Sequence, residues 1–161
     1  MIPAGTSIHV VRTDCLAALY GWLAGRVDVL LCNPPYVATA DEETGSTGIA
    51  AAWAGGSRAG RGLTDRVIAA CPALLSTAAA TGRAGGRCYM VAEECNRPGE
   101  VAEFARGLGL RCAEVLKRRC GREMLYVLKI ERSETRVVST PSPFESNCLP
   151  LPESELIYKL K

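Results

Sequence analysis

Asn33-Pro34-Pro35-Tyr36 directly follows the apolar run Val27-Asp28-Val29-Leu30-Leu31-Cys32, and its residue types suit one chemistry. The planar NH2 of an amide or an adenine has a delocalised lone pair and is a poor nucleophile toward a methyl sulfonium. Two acceptors change that: the Asn33 side-chain oxygen and the Pro34 carbonyl can each take one N–H, aligning the nitrogen with the methyl group and favouring its pyramidal form. Consecutive prolines fix φ and carry no N–H, so the acceptor carbonyl is held rigidly and no neighbouring donor competes. The Tyr36 ring can stack on the flat group. Asn33, Pro34, Pro35 and Tyr36 are therefore the candidate catalytic residues, with Asn33, Pro34 and Tyr36 also contacting the acceptor. The plainer alternative is a turn after a strand, since Asn and Pro both form turns.

The elements around the motif must bring it to an accessible place. In an open α/β sheet, ligands collect beyond the carboxyl ends of parallel strands, which is where the tetrapeptide falls if 27–32 is such a strand. Residues 8–12 and 86–93 read as further strands, and 15–24 as a short helical stretch interrupted by Gly21. Residues 33–62 read as a long Gly- and Ala-rich loop of the kind used for lids. Trp53 is its one large anchor, packing the lid or lining the substrate groove. Leu63, Val67, Cys71, Leu74, Leu75 and Ala78 recur with helical period, and Pro72 is expected to kink or divide that helix. Asn96-Arg97-Pro98 supplies a cap and a first-turn proline for a helix over 98–107, with Val101, Phe104, Ala105 and Leu108 as its buried stripe. Segments 111–119 and 123–131, joined around Gly121, alternate as an antiparallel hairpin.

The run from Val27 through Val37, the stretch Gly48-Ile49-Ala50-Ala51-Ala52-Trp53-Ala54-Gly55-Gly56, and Gly121-Arg122-Glu123 with Leu125-Tyr126-Val127-Leu128-Lys129 resemble the eukaryotic HemK-like methyltransferases that modify a release-factor glutamine. The similarity covers about residues 8–131, with one departure: the family usually has Glu at the position of Ala50. The resemblance implies a class I (Rossmann-like) α/β fold with strand order 3-2-1-4-5-7-6 and S-adenosylmethionine as cofactor. It makes 8–12 the third strand, and Asp14 and Asn33 the cofactor contacts, Asp14 at the adenine amino group. It also implies a release factor as substrate and a small zinc-containing activator subunit that adds a strand at the 8–12 edge. Some adenine-N6 methyltransferases share the N-P-P-Y signature.

Class I enzymes hold the cofactor mainly with a glycine-rich turn after the first strand and an acidic residue after the second. Neither is found in the sequence. The G-x-G pairs Gly60/Gly62 and Gly107/Gly109 follow a loop and a helix, so they read as turn glycines. Asp14 has the alternative role of a helix N-cap. The expected fold is thus a partial, N-terminally truncated class I sheet lacking its first two strands and ending in an antiparallel hairpin. Its strand 27–32 would present an unpaired edge unless 8–12 joins it through a right-handed crossover, the arrangement expected here.

The chain of 161 residues, 48% hydrophobic, suits one core. Its net charge of +2 gives no nucleic-acid signature, and no apolar run approaches a membrane span. With no secretory pattern at the N-terminus, a cytoplasmic or nuclear location is expected. Eight cysteines never form C-x-x-C and His9 is the single histidine, so no metal site is expected and most of the thiols read as small buried hydrophobes. Lys117-Arg118-Arg119 with Arg122 could touch RNA, or simply form a solvated hairpin rim. Residues 1–131 form the expected domain, and 132–161, Pro-rich and aperiodic, a disordered tail. Three functions remain open: glutamine N-methylation, adenine-N6 methylation of nucleic acid, and a non-catalytic short form.

Overall fold

The computed structural model describes residues 6–44, 48–82 and 84–133. The tail expected over 132–161 lies outside the described residues from 134 onward. A four-stranded mixed sheet has the order β1-β4-β6-β5, formed by β1 (Val29–Cys32), β4 (Arg87–Glu93), β5 (Leu110–Cys120) and β6 (Glu123–Arg132). β1 runs parallel to β4, while β6 is antiparallel to both β4 and β5. This is the order 4-5-7-6 that the resemblance implies.

The chain covers one face of this sheet well. Along β4, Cys88, Met90 and Ala92 are buried and their neighbours half-buried, the period-2 pattern of a strand packed on one side. They meet Tyr126, Leu128 and Ile130 of β6 and the helices α3 (Gly62–Leu74) and α5 (Pro98–Gly107) in one core. α3 is buried on most of its circumference through Val67, Ile68, Ala70, Cys71 and Leu74. α5 buries only Val101 and Ala105, with Phe104 and Leu108 packed at the margin. On the opposite sheet face Val29 and Leu31 are 58% and 75% exposed. The outer edge of β1 is unpaired among the described residues, not covered by 8–12 as expected.

Several local expectations are corrected. Residues 8–12 form no strand and pair with nothing in the sheet; Ile8 and Val10 are each 70% exposed. The connection explains why. The one-turn helix α1 (Tyr20–Leu23) is followed by Gly25 N–H and Val27 N–H donating to Ala73 O (2.8 Å) and Leu74 O (3.1 Å), and Asp14 is tied to Arg66 of α3. The segment is thereby held against α3 rather than alongside β1, and no crossover forms. Pro72 sits inside α3 without dividing it, because only two residues of helix follow and the single lost N–H falls in the last turn. Asn96 does not cap α5: the N-cap position is Arg97, which has φ 55° and makes no side-chain cap bond.

The 33–62 region is more ordered than a featureless lid. It contains β2 (Val37–Ala38), the one-turn helix α2 (Asp41–Thr44), a 3-10 turn at Ile49–Ala52 and β3 (Ala54–Gly56). β2 pairs in parallel with β3, and Val37 N–H donates to Trp53 O at 3.0 Å. The Asp41 carboxylate accepts from both Ser57 N–H and Ser57 Oγ, each at 2.8 Å, which holds its pKa below the ordinary carboxylate range. α4 (Ala78–Thr81) then leads into β4.

Candidate active site

The motif leaves the carboxyl end of β1, beside the carboxyl end of β4. Pro34 is buried, Pro35 and Tyr36 are half-buried, and the Asn33 side chain is exposed. Among the described residues, neither the Asn33 amide nor the Pro34 carbonyl has a hydrogen-bond partner. Two adjacent acceptors on a proline-stiffened backbone are therefore free to take the two N–H groups of a planar NH2.

Tyr36 is held at its carbonyl, while its hydroxyl faces a carboxylate. Its carbonyl accepts from Asn96 Nδ2 at 2.7 Å. Its hydroxyl lies in a partly desolvated position beside the Glu123 carboxylate, with Cys120 and Glu93 nearby, and both burial and these groups raise its pKa. The phenol therefore stays neutral. The ring thus reaches the turn between β5 and β6.

Pro35 and Asp14 line one groove of about 680 Å³, together with Thr13, Asp41, Ser57 and Arg66 among others. The structure thus brings a motif residue and the expected cofactor acid together. The Asp14 carboxylate is not free, however: Arg66 Nη2 and Nη1 reach it at 3.2 and 3.4 Å. Nor does it cap a helix; Thr13 Oγ1 instead accepts from Ala18 N–H at 3.1 Å. The Trp53 ring is 43% exposed and lies outside the core.

Sequence reasoning missed the residues that tie this region down. Arg61, with a side chain only 8% exposed, bonds Asp65 at 3.1 Å and Glu100 of α5 at 3.0 Å. Asn96 is buried and joins the motif to the Ala59 turn. Gly60 was legible as a turn glycine: its φ is 70°, and a Cβ there would overlap the Tyr36 carbonyl. The spacing of Asn96 ahead of Pro98 carried a signal, but for the wrong bond.

Most of the described thiols behave as hydrophobes, Cys95 and Cys120 being exposed. Cys71 and Cys88 are fully buried, Cys15, Cys32 and Cys112 half-buried, and all described cysteines are free; Cys148 lies outside the described residues. Burial pushes the Cys32 thiol up to about 11, and burial with the nearby Glu93 does the same for Cys95. Protonated thiols are not nucleophiles. No group of described residues could hold a metal ion, and no described helix is long and apolar enough to cross a membrane. Lys117, Arg118, Arg119 and Arg122 are exposed on the hairpin, with Lys117 Nζ lying 4.9 Å over the Tyr126 ring.

A site for S-adenosylmethionine must meet two requirements. A sulfonium nucleoside needs a backbone cradle for its polar groups and an acid for its ribose. Here the one carboxylate beside the motif that the resemblance offers is paired, and the strand edge next to the motif is open. The described residues do not by themselves form such a cradle.

No sequence-family profile matches the chain. It is similar to mouse Methyltransferase HEMK2 (42% identity over 128 residues, 78% of this chain and 56% of the relative) and to human Methyltransferase HEMK2 (41% over 126 residues, 78% and 55%). The fission yeast eRF1 methyltransferase catalytic subunit mtq2 is 38% identical over 112 residues, 68% of this chain and 45% of the relative. The E. cuniculi Mtq2–Trm112 complex, solved as responsible for methylation of the eRF1 termination factor, contains a chain of the same fold. It has a TM-score of 0.55 and 28% identity, over 76% of this chain and 60% of that one. The chain spans about half the length of the curated relatives it matches. Sheet order, shared fold and sequence identity together make the chain similar to about half of a HemK-like methyltransferase.

Proposed function

We propose that the Asn33–Tyr36 site acts in S-adenosylmethionine-dependent methylation of a glutamine side-chain nitrogen in the glycine-glycine-glutamine loop of a release factor. The observation that carries this reading is the pair of unpartnered acceptors, Asn33 Oδ1 and Pro34 O, at the end of a parallel strand. The names of the yeast relative and of the solved complex, both tied to eRF1, support the substrate class.

These residues can bind and orient the amide. Asn33 Oδ1 and Pro34 O each accept one N–H, which withdraws the nitrogen from conjugation and fixes its direction. Buried Pro34 brings no competing donor. The half-buried Tyr36 ring borders the same turn, with its neutral hydroxyl near the Glu123 carboxylate.

The reading is tested in a chimera that joins the N-terminal segment of a relative to this chain. Asn33→Ala should lower methyl transfer by about two to three orders of magnitude, the scale for removing a transition-state hydrogen bond, while cofactor affinity falls far less. Comparable loss of both would make Asn33 a cofactor-shaping residue. The engaged Asp14 favours a second reading, a non-catalytic domain.

We also propose a small activator subunit as partner, as in the Mtq2–Trm112 complex. Ile8 and Val10 are exposed and unpaired, and could pair with an added strand. Co-expression should yield co-purification and a more stable chain. Failure to co-purify, with a full-length relative as positive control, would contradict it.

A further inference from the structure

Asn96 is 1% exposed, and a buried amide is costly unless its polar atoms are bonded. Here its oxygen and nitrogen are spent on three different segments. Oδ1 accepts from Glu93 N–H at the end of β4 (2.7 Å), and Nδ2 donates to Tyr36 O in the motif (2.7 Å) and to Ala59 O in the preceding turn (2.7 Å). All are short for N–H···O bonds.

The backbone around this amide is strained. Ala59 and Arg97 stand at φ 50° and 55°, a region that non-glycine residues rarely adopt. Such conformations persist where surrounding structure over-determines them, and they gather at functional sites. Gly60 closes the other side. Its φ is 70°, and a Cβ would overlap the Tyr36 carbonyl and lie 2.9 Å from Asn96 Nδ2. The Tyr36 carbonyl is thus gripped between a buried donor and a bare backbone.

We propose that Asn96 is the positioning residue of the N-P-P-Y turn: by clamping the Tyr36 carbonyl to the end of β4 and to the Ala59–Gly60 turn, it fixes the direction of the Pro34 carbonyl and Asn33. Two prolines lie between Asn33 and Tyr36, and their φ angles are locked. Few torsions remain free, so fixing the Tyr36 peptide propagates back to the acceptors. Asn96 itself is too buried to touch an acceptor molecule. What the clamp positions rests on the methyl-transfer reading; the clamp itself does not.

The test is hydrogen exchange of the full chain, read by mass spectrometry and normalised to intrinsic rates. Asn96→Asp keeps the shape and the bond from Glu93 N–H, but a carboxylate cannot donate to the two carbonyls. Exchange of Val37 and its neighbours in 33–39, and of 57–61, should rise at least about tenfold while the β5–β6 hairpin is unchanged. Protonating the introduced carboxyl near pH 4 should restore part of the protection, since a neutral acid can donate one bond, whereas Asn96→Ala should show no such recovery. In the chimera, Asn96→Asp should lower kcat about a hundredfold with KM changed less than threefold. Uniform loss of protection across β4–β6, or unchanged exchange over 33–39, would overturn the proposal. If Asn96→Asp does not fold, Asn96→Ser, whose hydroxyl donates one bond, is judged by the same exchange pattern. A loosened loop in a chimera whose parent methylates nothing would contradict the methyl-transfer reading and leave the clamp standing.

Discussion

Arg66 of α3 holds the Asp14 carboxylate through two contacts of 3.2 and 3.4 Å, across 52 positions of sequence. The pair is exposed, with side chains 47% and 80% accessible, so its contribution to stability is less than about 1 kcal/mol. Its importance is local: it occupies the acid that the resemblance places toward the cofactor. The chain is therefore expected to bind S-adenosylmethionine weakly, and calorimetry should give a dissociation constant above the micromolar range. Micromolar or tighter binding would show that the site assembles without a further cradle. Arg66→Ala should shift the urea unfolding free energy by less than about 1 kcal/mol.

The Arg61–Asp65 pair differs in being buried, with side chains 8% and 9% exposed. Removing the guanidinium leaves a carboxylate that only the exposed Arg58 still reaches, at 3.4 Å. Arg61→Ala should cost about 3 kcal/mol in denaturant unfolding, the scale for orphaning a buried charge. A loss under 1 kcal/mol would mean that water or Arg58 takes over fully.

Gly60 and Gly121 separate crowding from backbone strain. Both have positive φ, 70° and 60°, but a Cβ at Gly60 would overlap the Tyr36 carbonyl while one at Gly121 meets nothing within 4 Å. Gly121→Ala should cost only about 1 kcal/mol, the left-handed penalty. Gly60→Ala should cost clearly more in the same urea titration. Equal losses would refute the close approach.

The acid limb of stability should depend on Glu131. Arg111, then Lys129, hydrogen bond its carboxylate and hold its pKa below the ordinary range despite some desolvation. A carboxylate with a depressed folded pKa contributes stability that is present above its unfolded value near pH 4 and lost as pH falls through the folded one. Unfolding free energy should therefore decline below about pH 4, and Glu131→Gln should flatten that decline. An unchanged acid limb would assign it to other groups, such as Asp41 and Glu93, whose pKa values are also lowered.

Much of this was legible in the sequence because it was local or periodic. The strand over 86–93, the proline-led helix α5 and the Gly121 hairpin each appear where expected, within a residue or two. So does the motif at the end of β1. What failed depended on contacts distant in sequence. Residues 8–12 have strand-like composition, but Asp14 and Gly25 tie the connection to α3. Asn96 looks like a cap, yet its partners at Tyr36 and Ala59 are 60 and 37 residues away. The β2–β3 pairing inside the presumed loop rests on a two-residue strand, too short for alternation to reveal.

The central claim is that Asn33 and Pro34 present a planar NH2 for methylation, and that glutamine rather than adenine supplies it. A duplex-reading enzyme must flip its base and hold flanking phosphates, which calls for a clustered basic surface. This chain has a net charge of +2, and its one basic run lies on the β5–β6 hairpin. The most direct measurement offers the chimera a folded release factor and duplex DNA together, with methyl transfer read by mass spectrometry. The account predicts methylation of the glycine-glycine-glutamine side chain, abolished by Asn33→Ala, with the DNA unmodified; N6-methyladenine formed at a comparable rate would contradict it.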